Sequence, residues 1–193
     1  AAEGLVYDFF QEDLVREPPA GPFQAWRISC DYGTVNPASF GLWGKLGEVW
    51  YRVSEYYYDS RAEGRQKTDG EYVDDLLRLA GGRELELVVV DPSAASFLEA
   101  LRQAGLPVRK ADNRVLTGIR VTAELLKKGR LVICRGCDAS LREFGLYRWD
   151  KRAGEDRVVK EHDHAMDDIR YFAMSLEETA KPLAAVCVER RAF

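Results

Sequence analysis

The sequence predicts a mixed α/β domain, and three observations carry that expectation. Residues 26–31, 38–46 and 48–58 are strand-like runs separated only by short connections containing Gly, Asn or Pro. From residue 68 onward, helix-like and strand-like segments alternate, which is the pattern of an α/β sheet. The segment 85–90 ends in an apolar run without Gly or Pro, as expected of a strand covered by helices on both faces.

Each element follows from local chemistry. Residues 1–22 close on Glu17-Pro-Pro-Ala-Gly-Pro22, a punctuated stretch read as a linker remnant or strapped-on tail, so the folded body is expected to begin near Phe23. Lys45-Leu-Gly47 is a tight reversal that makes the second and third runs a hairpin. Residues 61–67 are polar and basic and read as an exposed loop. Thr68 caps the next helix with Glu71 as its capping-box partner; Tyr72, Leu76 and Leu79 share one side, and Gly81-Gly82 stops it. After the 85–90 strand, Pro92 and Ser93 start a helix carrying Phe97, Leu98 and Leu101 that ends at Gly105. A short strand begins at Val108, a helix spans 115–128, a short strand 131–134 and a short helix 137–144. Residues 146–150 and 157–160 flank a Gly-containing turn and are expected to pair as a late hairpin. The last helix, 164–176, buries Ala165, Ile169, Phe172 and Leu176. The folded domain is placed at 23–178, with 179–193 as a tail containing a strand-like run at 183–188.

Composition narrows the function classes. With 193 residues, 46% of them apolar, the chain can build a full core. No apolar run reaches membrane-spanning length, and residues 1–8 lack the basic-then-apolar order of a signal peptide. Cys30 and Cys187 sit in apolar stretches as small hydrophobes, which fits a reducing cytosolic setting. Cys134-Arg-Gly-Cys137 lacks the second pair that zinc requires and reads as packing or capping. The net charge of −4 argues against a nonspecific nucleic-acid coat, but between residues 109 and 130 seven basic residues face only Asp112 and Glu124.

The chemistry lies in the carboxylates. Asp31 ends one strand-like run and Asp91 closes the most apolar one, while His164, Asp167 and Asp168 fall in the first turn of the last helix. Unpaired buried charge is costly, and ligands bind at the carboxyl ends of neighbouring strands in α/β sheets. Oxygen ligands there suit Mg²⁺ or Mn²⁺, and two such ions about 3.5–4 Å apart serve phosphodiester hydrolysis. The spacing places His164 near both aspartates, away from Ile169 and Phe172. A strand-end Asp also serves as a turn former, Asp91 before Pro92-Ser93 as an N-cap, and Asp163 as a structural cap.

The segments Asp31-Tyr-Gly-Thr-Val-Asn-Pro-Ala38, Val90-Asp91-Pro-Ser93 and Val159-Lys-Glu-His-Asp-His-Ala-Met-Asp-Asp-Ile-Arg-Tyr171 occur in that order. With Gly105-Leu-Pro-Val-Arg-Lys-Ala-Asp-Asn113 and Tyr147-Arg-Trp-Asp150, they closely resemble the C-terminal nuclease domain of the large terminase subunit of tailed bacteriophages and prophages. The resemblance spans roughly residues 25–176. It implies an RNase H-like fold, with three antiparallel strands followed by parallel ones, and an endonuclease cutting concatemeric viral DNA during genome packaging. It places metal ligands at Asp31, Asp91 and Asp167, with His164 at or beside the second of two divalent ions, Mn²⁺ or Mg²⁺. Asp168 is a secondary ligand candidate. Double-stranded DNA is the implied partner, and in a complete protein so are the packaging ATPase domain, the portal and the small subunit. The implied place of action is the host cytoplasm at the procapsid portal. No Gly-x-x-x-x-Gly-Lys-Ser/Thr loop occurs, so the chain is expected to be an excised, monomeric domain without ATP hydrolysis of its own.

Two basic groups are candidates for backbone phosphate contact: Arg61, Arg65 and Lys67 after the third run, and Arg148, Lys151, Arg152, Arg157 and Lys160 near the last helix. Arg170 is a candidate to steady the metal-binding helix, and Lys110 a candidate carboxylate partner. Two alternatives stay open: another RNase H-like enzyme, such as a Holliday-junction resolvase, or a docking module for DNA or portal that does not cut.

Overall fold

The structure is a computed structural model and describes residues 4–152 and 156–180, apart from the side chains of 178–180. Strands β1 (Ala25–Asp31), β2 (Ala38–Leu46) and β3 (Val49–Tyr58) form an antiparallel meander. Gly47, at φ +59°, supplies the left-handed turn between β2 and β3. Strand β4 (Leu87–Val90) joins β1 in parallel, β5 (Val108–Lys110) joins β4, and β6 (Leu131–Ile133) joins β3. The result is a six-stranded mixed sheet in the order β5-β4-β1-β2-β3-β6.

Helices cover both faces. Helices α2 (Asp69–Ala80) and α3 (Ala95–Gln103) pack with Ile28, Cys30, Phe40, Val88 and Val90. Helices α4 (Val115–Lys127), α5 (Asp138–Phe144) and α6 (His164–Ala180) cover the opposite face around Trp43, Trp50 and Phe172. Phe172 stacks on Trp43 with centroids 4.1 Å apart, fixing α6 against β2. All four residues of β4 are buried, as expected for a strand covered twice. The Thr68–Glu71 capping box opens α2, and Gly81 in the left-handed region ends it.

Two expectations change. The folded body starts well before Phe23: Val6, Tyr7 and Val15 are buried, and Val6 N–H donates to Tyr147 O at 2.9 Å. Val6 and Tyr7, with Phe9 and Phe10, pack on the side of the core that holds Phe144 and Tyr147. Part of the 61–67 loop forms a short helix α1 (Ser60–Glu63), because the Asp59 carboxylate accepts from the N–H groups of Arg61 and Ala62. The late hairpin forms as a short antiparallel pairing: Trp149 bridges Val158, Val159 N–H donates to Arg148 O at 2.9 Å and Asp150 N–H to Arg157 O at 2.6 Å, and Arg148 also bridges Leu5 on its other side. The strand-like run 183–188, including Cys187, lies outside the described residues. Among the described residues, no helix is long and apolar enough to cross a membrane.

Candidate metal centre

Parallel pairing of β1 and β4 puts Cys30 opposite Val90, so Asp31 and Asp91 emerge side by side at the carboxyl ends of adjacent strands. Asp91 accepts the N–H of Ser93 at 2.9 Å in a tight turn, and Ala94, not Asp91, is the N-cap of α3. The loop after Asp31 folds back sharply. A Cβ on Gly33 would lie 2.5 Å from Asn36 O, so only glycine fits. The loop is tied down by Tyr72, whose hydroxyl donates to Gly33 O at 3.2 Å, and by Ser60, which donates to Thr34 O and Val35 O.

Helix α6 starts over this strand edge. His164 Nδ1 lies 3.0 Å from Asp31 Oδ2, a contact that needs one proton on the pair. Asp167, one turn on, accepts from Arg170 at 3.1 Å, and Arg170 also donates to Asn113 O and Arg114 O. Asp31, Asp91, His164, Asp167 and Tyr171 thus line one cleft of about 690 Å³, closed on one side by residues 32–37.

The electrostatics are those of crowded negative charge. Burial pushes the Asp31 carboxyl well above its usual range; the His164 contact opposes this, and the charges of Asp167 and Asp91 add to it. Burial likewise raises Asp167 to about 6, against the pull of Arg170. Burial lowers the His164 pKa, but the hydrogen bond and charge of Asp31 outweigh it and hold it above its usual value. Each acidic group is turned toward a protein partner. Among the described residues, no three His, Cys, Asp or Glu side chains are drawn together at metal-holding distance.

Asp168 is placed elsewhere and leaves the ligand set. It is fully buried on the sheet side of α6, where Arg52 grips both its oxygens at 3.0 and 2.7 Å and Ser29 and Ser39 donate to it. Helical geometry explains the split: 168 follows Ala165 by three residues and precedes Phe172 by four, so it shares their buried stripe.

The basic candidates divide similarly. Lys67 is largely buried, bound to Asp75 at 2.6 Å and seated over the Tyr58 ring, which makes it part of the packing. Arg65 pairs with Glu71. Arg61 is exposed beside Ser60 at the cleft-lining loop. Arg148, Lys151 and Arg152 border a second hollow of about 560 Å³, and Lys160 and Arg157 are exposed nearby in sequence. Lys110 is exposed on β5. Cys134 and Cys137 are buried, and the Cys137 thiol donates to Arg52 O at 3.3 Å. The sequence reading missed Tyr171, although positions 164, 167 and 171 share one helix face, and it missed Arg52 altogether.

No protein-family model matches the chain, nor does any curated protein sequence. Solved structures do. The large terminase of a thermophilic bacteriophage, in complex with ATP-gamma-S, is 46% identical over 88% of this chain with a TM-score of 0.86. The chain spans only 45% of that protein's length. The P22 large terminase nuclease domain matches at TM-score 0.74 and 18% identity, covering 91% of this chain and 93% of that one. The large terminase nuclease of thermophilic phage G20c with bound magnesium matches at TM-score 0.66 and 16% identity, covering 90% and 98%. These last two likenesses speak for the fold alone. Taken together, the matches show that this chain belongs to the large terminases and has the RNase H-like fold of their nuclease domain.

Proposed function

We propose that this chain is a metal-dependent endonuclease domain that cuts double-stranded viral DNA during genome packaging. One observation carries the reading: Asp31, Asp91, His164 and Asp167, from three separate parts of the chain, line a single cleft at the carboxyl edge of the sheet. The donor set fits the implied ions. Three carboxylates and one imidazole suit Mg²⁺ and, with the nitrogen, Mn²⁺. Burial, with the added charges of Asp167 and Asp91, raises Asp31, and bound cations would offset that penalty on its charged form. The magnesium bound in the G20c nuclease supports the same reading by analogy of fold.

Asp31, Asp91 and Asp167 would hold the ions, with His164 beside Asp31. Bound divalent ions supply Lewis-acid charge for activating water and for stabilising the leaving 3′ oxygen. The protein's own groups do the rest. Arg170 holds Asp167 toward the cleft, and Arg61, Arg148, Lys151, Arg152, Arg157 and Lys160 would seat the duplex through its phosphates without reading sequence. Portal, small subunit and ATPase domain are proposed as partners of a complete protein, acting in the host cytoplasm.

A second reading, a docking module that does not cut, is favoured by the absence of a pre-gathered three-ligand cage among the described residues. Incubating supercoiled plasmid with Mn²⁺, Mg²⁺ or EDTA separates the two. Cutting with either ion, and none with EDTA or in Asp31→Ala, is expected. Cutting that persists in Asp31→Ala removes the catalytic assignment, and no cutting with any ion favours docking. A preference for Holliday junctions over plain duplex would redirect the substrate.

A further inference from the structure

The metal-centre residues on α6 are held from behind by a chain of buried polar groups that the proposed chemistry does not use. Arg52, in mid β3 and fully buried, binds both oxygens of Asp168. Ser29 of β1 and Ser39 of β2 donate to the same carboxylate, and Trp43 Nε1 donates to Ser29 at 2.8 Å. Three residues along β3, Glu55 accepts from the N–H groups of Ala139 and Ser140 and from the Ser140 hydroxyl, capping α5. From α5, the buried Glu143 accepts the N–H groups of Ala165 and Met166 at 2.8 and 3.2 Å, capping α6, and Tyr57 of β3 donates to it at 2.9 Å. Every group in this circuit leads back to β3.

The circuit interleaves with the cleft. Residues 165 and 166 are gripped by Glu143 of α5 and residue 168 by Arg52 of β3, while 164 and 167 face the metal centre. The apolar stripe of Ala165, Ile169 and Phe172 would hold α6 to the sheet unaided, but apolar contact tolerates small rotations and shifts. A bidentate guanidinium–carboxylate pair does not, because its two bonds fix direction as well as distance. The sheet is built around that pair: a Cβ on Gly41 would stand 1.8 Å from Arg52 Nη1. Buried ion pairs are seldom the most stabilising way to fill a core, so one surrounded this completely calls for another role.

The geometry points to Arg52 as a positioning residue: by fixing Asp168 from β3, it sets the rotation of α6 that aims His164 and Asp167 at Asp31. This inference rests on the metal-centre reading above and deepens it. Arg52 touches neither ion nor DNA and acts only through the helix.

The test is Mn²⁺ titration of the 193-residue chain by calorimetry, with unfolding midpoints recorded in EDTA. The proteins are wild type, Asp31→Ala, Arg52→Lys and the double variant Arg52→Gln/Asp168→Asn, which replaces the ion pair by two neutral amides. A folded double variant is expected to bind Mn²⁺ about 10- to 100-fold more weakly, as when outer partners of metal ligands are lost. Arg52→Lys, which keeps the charge but not the fork, is expected to fall between. A folded double variant with wild-type Mn²⁺ affinity overturns the inference while leaving the metal centre standing. Wild type that binds no Mn²⁺ overturns both. Should the double variant not fold, Ser39→Ala, which removes one hydrogen bond and strands no charge, decides: weaker Mn²⁺ binding supports the role, and unchanged binding overturns it.

Discussion

Asp167 and Asp168 are chemically identical neighbours in opposite situations. Asp168 is fully buried, opposed by Arg52 and satisfied by two serines. Asp167 opens on a cleft shared with Asp31 and Asp91 and has Arg170 as its ion-pair partner. One carboxylate is completed by the protein, and the other is left partly uncompleted beside like charges. Incomplete satisfaction marks the functional group, because a site must keep ligand capacity in reserve. Complete satisfaction marks the scaffold.

Substitution should break that symmetry most strongly. Asp168→Ala strands the buried Arg52 charge and is expected to lower stability by about 3–5 kcal/mol. Asp167→Ala is expected to cost no stability in metal-free protein at pH 7 and to reduce plasmid cleavage to background. Urea unfolding together with a cleavage assay checks both. Equal destabilisation by the two variants would erase the distinction between site and scaffold.

The pH dependence sharpens it. The folded-state pKa of Asp167 is raised from 3.8 to about 6, so the protonated group favours the folded state. Its contribution is full below pH about 3.8 and lost as pH rises through about 6. Relative to Asp167→Asn, metal-free wild type should therefore lose on the order of 2–3 kcal/mol between pH 4 and 7. Saturating Mn²⁺ at pH 7 should restore it. Parallel stability–pH curves for the two proteins in EDTA would contradict this.

Smaller effects follow from packing and charge. Gly41→Ala drives a methyl into the Arg52 guanidinium and is expected to cost about 1–3 kcal/mol, read by thermal unfolding. Arg148→Ala and Lys160→Ala should each flatten the salt dependence of duplex binding by a slope of about 0.9, whereas Lys67→Ala should leave it unchanged. A slope change for Lys67→Ala would return that residue to the DNA surface.

Much of this is legible in the chain. Thr68 with Glu71, Gly81 and the apolar run at 87–90 signal their elements through local chemistry alone. Asp31 and Asp91 stand out because charge at the end of a buried strand needs a partner, although a turn-forming role answers the same pattern. Asp168 misleads because its adjacency to another acid hides the helical period, which places it on the stripe of Ala165 and Phe172. Arg52 gives no local signal: its partner lies 116 residues away, and only the sheet order, with β3 beside β2, lets Arg52 reach the helix that packs on β1 and β2. Lys67 looks free in a basic run, but Asp75 on the next helix pairs with it. The late hairpin pairs as its two flanking runs suggest, whereas the added bridge from Arg148 to Leu5 has no local signal.

The most direct measurement is anomalous scattering from crystals of this chain soaked in Mn²⁺. Peaks are expected in the cleft within coordination distance of Asp31, Asp91 and Asp167, with none beside Asp168. A cleft without peaks at saturating Mn²⁺, or a peak on Asp168 displacing Arg52, would contradict the assignment of site and scaffold.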